Sequence, residues 1–176
     1  MIAFSFIAIG RPLALLGVVC ALTACGFHLR GQATLPPAMA ATYIDASGQR
    51  SPNAPPSSLA TELARALQAN GATIAAAPTA ATARLVITKE NYQRRTLATG
   101  AQGDVREYSI TYQVEYLVNN ADGSALVPLS TASASQDIIY NEIQVLGRVE
   151  GEQLAFQQLQ REVVQAILRR LAAASP

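Results

Sequence analysis

From Val105 to Val118, apolar and polar residues alternate almost without interruption. Tyr108, Ile110, Tyr112, Val114, Tyr116 and Val118 hold the even positions, while Glu107, Ser109, Thr111, Gln113 and Glu115 hold the odd ones. A period of two predicts a strand with one buried and one wetted face. The preceding stretch, Ala83 to Leu97, is rich in β-branched residues and predicts a partner strand, with Leu85 and Ile87 opposite Val86 and Thr88. Gly100 and Gly103 mark the loop between the two. Residues 119–124, NNADGS, predict a hairpin turn centred on Asp122-Gly123. The segment from Ala125 to Tyr140 can then return as another strand. Pro128 lacks a ladder donor, which confines that strand to an edge or a bulge. Near the start of the domain, Ala41 to Ala46 also alternates and predicts a first strand.

Two segments carry the helical period instead. Leu59, Leu63, Ala66, Leu67 and Asn70 fall on one face of a helix predicted from Pro56 to Asn70. Pro55 and Pro56 suit its first turn, where a missing N–H is harmless, and Gly71 supplies the stop. From about Glu150 to Ala173 a second helix groups Phe156, Leu159, Val163, Ala166, Ile167, Arg170 and Leu171 on one face. Gln157, Gln158, Arg161 and Arg169 point away. The stretch SGQRSPNAPPSS reads as a turn-rich connection, and ATIAAAPTAATA as a short strand trace followed by a loop. The order implies an α+β two-layer sandwich, two helices packed on one face of a mainly antiparallel sheet of about four strands. Residues 40–176 form this single domain, preceded by a tether over residues 25–39 that Pro36-Pro37 stiffens.

The N-terminal segment follows neither period. Met1 to Ala24 is nearly all apolar, but Arg11 and Pro12 interrupt it, and a spanning helix needs roughly 20 uninterrupted apolar residues. Pro12 to Ala21 has the length of a signal-peptide core, with Arg11 as its positive flank. The ten residues ahead of Arg11 imply a start nearer to it or an atypical leader. The run ends in Leu22-Thr23-Ala24-Cys25, which resembles the bacterial lipobox. In that motif small residues let the signal protease close on the backbone, and the cysteine thiol takes a diacylglyceryl group. Residues 1–24 are then a lipoprotein signal peptide, and Cys25 is the lipidation site. Its freed amino group can take a further acyl chain such as palmitate. Two or three acyl chains satisfy the requirement for stable anchoring. A secretory signal cut after Ala24, or an uncleaved anchor, are the alternatives. Gly26 stands where an inner-membrane retention signal carries Asp, which favours export to the outer membrane.

Composition narrows the function by exclusion. The 176 residues include 13 Lys+Arg against 12 Asp+Glu, a net charge of +1, so no overall field points to nucleic acid. Both cysteines, Cys20 and Cys25, lie in the leader region, so no disulfide framework is expected in the domain. The single histidine, His28, has no second His or free thiol near it in the mature chain, so neither a metal site nor nucleophilic catalysis is expected. No phosphate loop, nucleophile elbow or paired-carboxylate motif appears. The chain reads as a binding or structural protein without a cofactor rather than an enzyme. Two local features remain. Arg94, Arg95 and Arg106 bracket one hairpin, and Arg148 precedes the last helix; together they could bind anionic headgroup phosphates, or simply pair with Glu90, Asp104 and Glu107. The polar row Ser109, Thr111, Gln113 and Glu115 suits the polar lumen of a large barrel or plain solvent.

Cys25-Gly26-Phe27-His28-Leu29-Arg30-Gly31, followed by Leu35-Pro36, resembles the start of the mature lipopolysaccharide-assembly lipoproteins of the LptE family. The later pieces follow in the family's order: a short strand, a helix ending in Asn-Gly, a long hairpin containing EYSITYQVEYLV, and a C-terminal helix. The resemblance implies an outer-membrane lipoprotein on the periplasmic side, held by acylated Cys25. It also implies a plug inside the LptD β-barrel that helps assemble it, and contact with lipopolysaccharide through basic residues at one end of the sheet. The positions available for that contact are Arg94, Arg95, Arg106 and Arg148. A tethered lipid carrier and a pilotin-like assembly factor are the alternatives within periplasm-facing lipoproteins.

Overall fold

The computed structural model describes residues 34–52, 54–139 and 148–174. The lipobox, Phe27 and His28 lie outside the described residues. The elements are β1 (Ala41–Asp45), β2 (Gln49–Arg50), α1 (Leu59–Ala69), β3 (Thr73–Ile74), β4 (Ala83–Thr99), β5 (Val105–Asn120), β6 (Ala125–Ile139) and α2 (Arg148–Ala173). Short 3-10 turns at Pro37–Met39 and Pro78–Ala80 complete the order.

The expected α+β architecture is present, but the sheet has six strands rather than about four. Its order is β3-β1-β4-β5-β6, with β2 also pairing to β4. The short strand trace expected in ATIAAAPTAATA is β3, and β2 lies within the stretch expected as a turn-rich connection; each is two residues long, too short to display a period. β4, β5 and β6 form a long antiparallel meander. β1 pairs parallel to both β3 and β4, and β2 pairs parallel to β4. Parallel neighbours cannot be joined by a tight turn. α1 is the crossover that carries the chain from β1 back to β3.

A single irregularity decides which side chains of β4 enter the core. The register of β4 on β5 slips between Ile87 and Lys89, leaving Thr88 as a bulge. Its Oγ1 donates to the Glu115 carbonyl at 3.0 Å. Before the slip the odd residues Ala83, Leu85 and Ile87 are buried; after it the even residues Glu90 and Tyr92 are. β5 has no such slip along its centre, and all six of its even apolar residues are at most 1% exposed. β6 lies at the sheet edge, and its register shifts between Val127 and Ser130, so that Pro128 and Leu129 oppose Leu117 alone. Pro128 therefore occupies a bulge on an edge strand, where its missing N–H breaks no ladder.

The helices cover the even face of β5. Leu59, Leu63 and Leu67 of α1 are buried, as are Phe156, Leu159, Val163, Ile167 and Leu171 of α2. The Phe156 ring meets the rings of Tyr92 and Tyr112 edge-on, with centroids 5.5 and 5.1 Å away. Burial of each such side chain contributes roughly 1.5–3 kcal/mol. α2 buries a wider stripe than expected, adding Ala155, Gln160, Val164 and Leu168, because it packs on both the sheet and α1. Arg170, expected on the inward face, is exposed at the rim of that stripe. α1 begins at Leu59, three residues later than expected, with Ser58 at its N-cap position. Pro55 and Pro56 lie ahead of it. Gly71 does end α1, with φ +88°. Met39 is fully buried, so the turn that follows Pro36 is already part of the core.

Candidate functional site

With both helices on one face, the other face of the β4–β5–β6 meander is left open among the described residues. Its side chains form cross-strand rows fixed by register. Lys89 lies opposite Glu115, which lies opposite Thr131; Asn91, Gln113 and Ser133 form the next row. Gln93, Thr111 and Ser135 follow, then Arg95, Ser109 and Asp137. The β5 members are half-buried between neighbours, while the β6 members are exposed. These four rows are polar and nearly charge-balanced; beyond Glu115 and Thr131 the face continues into half-buried Leu117 and exposed Leu129, and beyond Asp137 into exposed Ile139. The rows present hydroxyls and amides that can donate and accept, without a large field of either sign.

One end of this sheet carries the hairpin between β4 and β5. Gly103, at φ +81°, makes its turn, and the Gly100 N–H donates to the Asp104 carbonyl at 2.8 Å. A side chain at Gly100 would collide with Asp104 and Arg106, 2.5 and 2.7 Å from the position of a Cβ. Arg106 Nε and Asp104 Oδ2 form an ion pair at 2.8 Å, both side chains about half exposed. Such a pair contributes at most about 1 kcal/mol and is readily exchanged for another anion.

The arginines singled out from the sequence are not gathered into one cluster. Arg94 sits on the helix side of the sheet, its guanidinium 4.0 Å from the centroid of the Tyr108 ring. Arg94 Nη1 is 3.5 Å from Glu152 Oε2 of α2, and Glu152 Oε1 also accepts from the Tyr92 hydroxyl at 2.6 Å. Arg95 is one residue further on and therefore faces the open side, in register with Ser109. Arg106 belongs to the hairpin end. Arg148 is the first residue of α2 rather than part of a loop before it; its side chain lies outside the described residues. All three described arginines are exposed, and the structure brings only Arg94 to α2.

A polar group not singled out from the sequence lies within the core. The bulge at Thr88 turns Glu90 inward, where the residue is 9% exposed. Tyr112 donates its hydroxyl to Glu90 Oε2 at 2.6 Å, and Arg50 Nε of β2 lies 3.7 Å from the same oxygen. Next to them Gln160 Nε2 donates to Ser57 Oγ at 2.8 Å, tying α2 to the segment ahead of α1. Burial, and then the bond to Glu90, push the Tyr112 phenol well above its ordinary range, so it stays protonated and keeps donating. This arrangement holds the two layers in register; it has no nucleophile–base pair. The available signal in the sequence was three tyrosines in a buried row, since a buried hydroxyl needs a partner. Among the described residues, no group of three His, Cys, Asp or Glu side chains is placed to hold a metal, and no helix is long and apolar enough to cross a membrane.

This architecture, a six-stranded sheet covered by two helices on one face, defines a class of α+β domain known from bacterial lipoproteins. The chain is similar to an uncharacterized lipoprotein B from Nitrosomonas europaea, with 25% identity and a TM-score of 0.65, over 84% of this chain and 91% of the other. It shares the fold of the rare lipoprotein B from Shewanella oneidensis, at 19% identity and a TM-score of 0.61, over 76% and 94% of the two chains. A minor lipoprotein from Acinetobacter baumannii has the same fold, at 18% identity and a TM-score of 0.61, over 77% and 92%. No curated protein matches by sequence. Within that class the chain belongs to the LptE lipopolysaccharide-assembly family, whose model matches residues 40–171.

Proposed function

We propose that this chain is an outer-membrane lipoprotein, anchored by diacylglyceryl and N-acyl groups on Cys25, that plugs the LptD β-barrel and helps it assemble. In the same role it binds lipopolysaccharide and supports insertion of that glycolipid into the outer leaflet. The reading rests on family membership and on the open sheet face. Rows of Ser, Thr, Asn and Gln with matched charges fit the polar interior of a large barrel, where an apolar or strongly charged face would not. The fold suits a binding role, with its polar core devoted to packing rather than to chemistry.

For lipopolysaccharide, Arg95 and Arg106 are the favoured phosphate contacts, because Arg95 stands on the open face and Arg106 at the hairpin end, both exposed and away from α2. Arg94 is engaged by Glu152 and Tyr108, so it acts indirectly by fixing the end of the sheet to α2. Arg148, the first residue of α2, is the remaining basic candidate. Affinity purification of the tagged full chain from detergent-solubilised outer membranes should recover a large β-barrel protein in stoichiometric amount. Depletion of the chain should leave that barrel incorrectly assembled. Normal barrel assembly after depletion would overturn the proposal.

A further inference from the structure

β6 is the outermost strand on its side of the sheet among the described residues, so one row of its backbone N–H and C=O groups has no strand partner. Edge strands are usually blunted by charges, prolines or bulges along their length. β6 has one charged residue, Asp137, and one proline, Pro128. Beyond the bulge at Pro128, the stretch from Ser130 to Ile139 runs in unbroken register with β5 and is free of further defects. It is a straight pairing edge.

Beside this edge the flank of α2 forms a groove of two adjoining depressions, about 470 and 590 Å³, which share Ser133 and Ala166. Arg161, Arg169 and Arg170 line its helix side. None of the three enters an ion pair among the described residues. Glu162, the carboxylate in the groove, accepts a hydrogen bond from Gln158 Nε2 at 3.2 Å. The groove therefore has an excess of positive charge next to an unpaired backbone ladder.

We infer that the β6 edge and the α2 flank form a strand-addition site for an extended, acidic segment of a second polypeptide. Its backbone pairs with β6, which selects a polypeptide over any other anion. Its alternate side chains stand over the groove and meet the arginines. Arg161 and Arg169 are two helical turns apart, about 12 Å along the axis. A strand advances about 3.4 Å per residue and presents every second residue to one face, so carboxylates four residues apart match that spacing. A second copy of this chain is a poor occupant. Pairing β6 with β6 about a two-fold axis would bring the same arginine-bearing flank from each copy to one seam. The site lies along the edge where the open face ends at Thr131 and Ser133, away from the hairpin between β4 and β5, and it stands whether or not the barrel reading does.

The test uses the full chain in detergent and a fluorescein-labelled peptide of alternating Thr and Val, carrying Glu at positions i and i+4. Fluorescence anisotropy should show saturable binding, weaker by about tenfold or more for the peptide with Lys at those positions. Combined Arg161→Glu and Arg169→Glu substitution should reverse the preference, with circular dichroism confirming the fold. N-methylation of the alternate amides along one peptide edge should abolish binding, and along the other edge should leave it intact. Absence of saturable binding, equal binding of the Glu and Lys peptides, or indifference to N-methylation of either edge would overturn the inference. So would a dimer of the chain, seen by sedimentation, that the peptide dissociates, since it would assign the edge to a second copy.

Discussion

Glu90 shows how much a single backbone irregularity can demand of its neighbours. Thr88 takes the bulge, the parity of β4 inverts, and a carboxylate enters the layer between sheet and helices. It is tolerated because Tyr112 donates to it and Arg50 lies alongside. Tyr112→Phe removes that donor and should cost about 1–3 kcal/mol, measured by urea denaturation at neutral pH. The same substitution should change the alkaline limb of stability. The folded Tyr112 phenol is raised above its unfolded value near 10, so its contribution is complete below that pH and is lost as pH rises through and beyond it. Thermal melts above pH 10 should therefore fall less steeply in Tyr112→Phe, with Tyr116, also raised by burial, still titrating in both. Asp45 has the opposite sign. A hydrogen bond from Ser47, then one from Arg84, lower its carboxyl to about 2. Its contribution is present above the unfolded value near 4 and disappears as pH falls toward about 2. Melts of Asp45→Asn should accordingly be flatter across that window than those of the unsubstituted chain.

At the scale of elements, the glycines distinguish turn from helix. Gly123 closes the β5–β6 hairpin at φ +86°, and a Cβ added there would meet nothing within 4 Å. Gly123→Ala meets no clash, so its cost is the left-handed backbone alone, roughly 1–2 kcal/mol. Gly151 is in the first turns of α2, exposed and equally uncrowded. Gly151→Ala should instead stabilise by roughly 0.5–1 kcal/mol, through the lower entropy of the unfolded chain. Equilibrium unfolding of the two variants in parallel tests both signs. The long elements were legible because each repeats its period many times: β5 through six buried even residues, α2 through five buried residues of the expected face. β3 was legible only as a short strand trace, and β2 not at all, since two residues repeat nothing and only pairing with β4 makes Gln49–Arg50 a strand. The inward swing of Glu90 was hidden for a related reason, because a bulge is a property of two strands together.

For the whole molecule, the arrangement of helices on one face and open polar sheet on the other defines what it can touch. On the proposed function, Cys25→Ser should release the chain from the membrane fraction while leaving its melting temperature unchanged, since the anchor lies ahead of the folded core. Membrane fractionation, acyl-chain labelling and a thermal melt together check this. Retention in the membrane fraction without acylation would mean a different anchor. Much was available from the linear chain: the α+β class, the buried face of β5, the edge position of β6 and the helical termini to within a few residues. Each of these depends on local chemistry that recurs or on a residue with one conformational use, such as Gly71, Gly123 or Pro128. The disposition of the arginines was not available in that way. Arg94 and Arg95 are adjacent in sequence, yet one meets Glu152 and Tyr108 on the helix side while the other lies on the open face. Nor could the chain alone place Arg161 and Arg169 beside the outer edge of β6. Periodicity states which face a residue is on, and only the pairing of strands and the docking of α2 determine what that face meets.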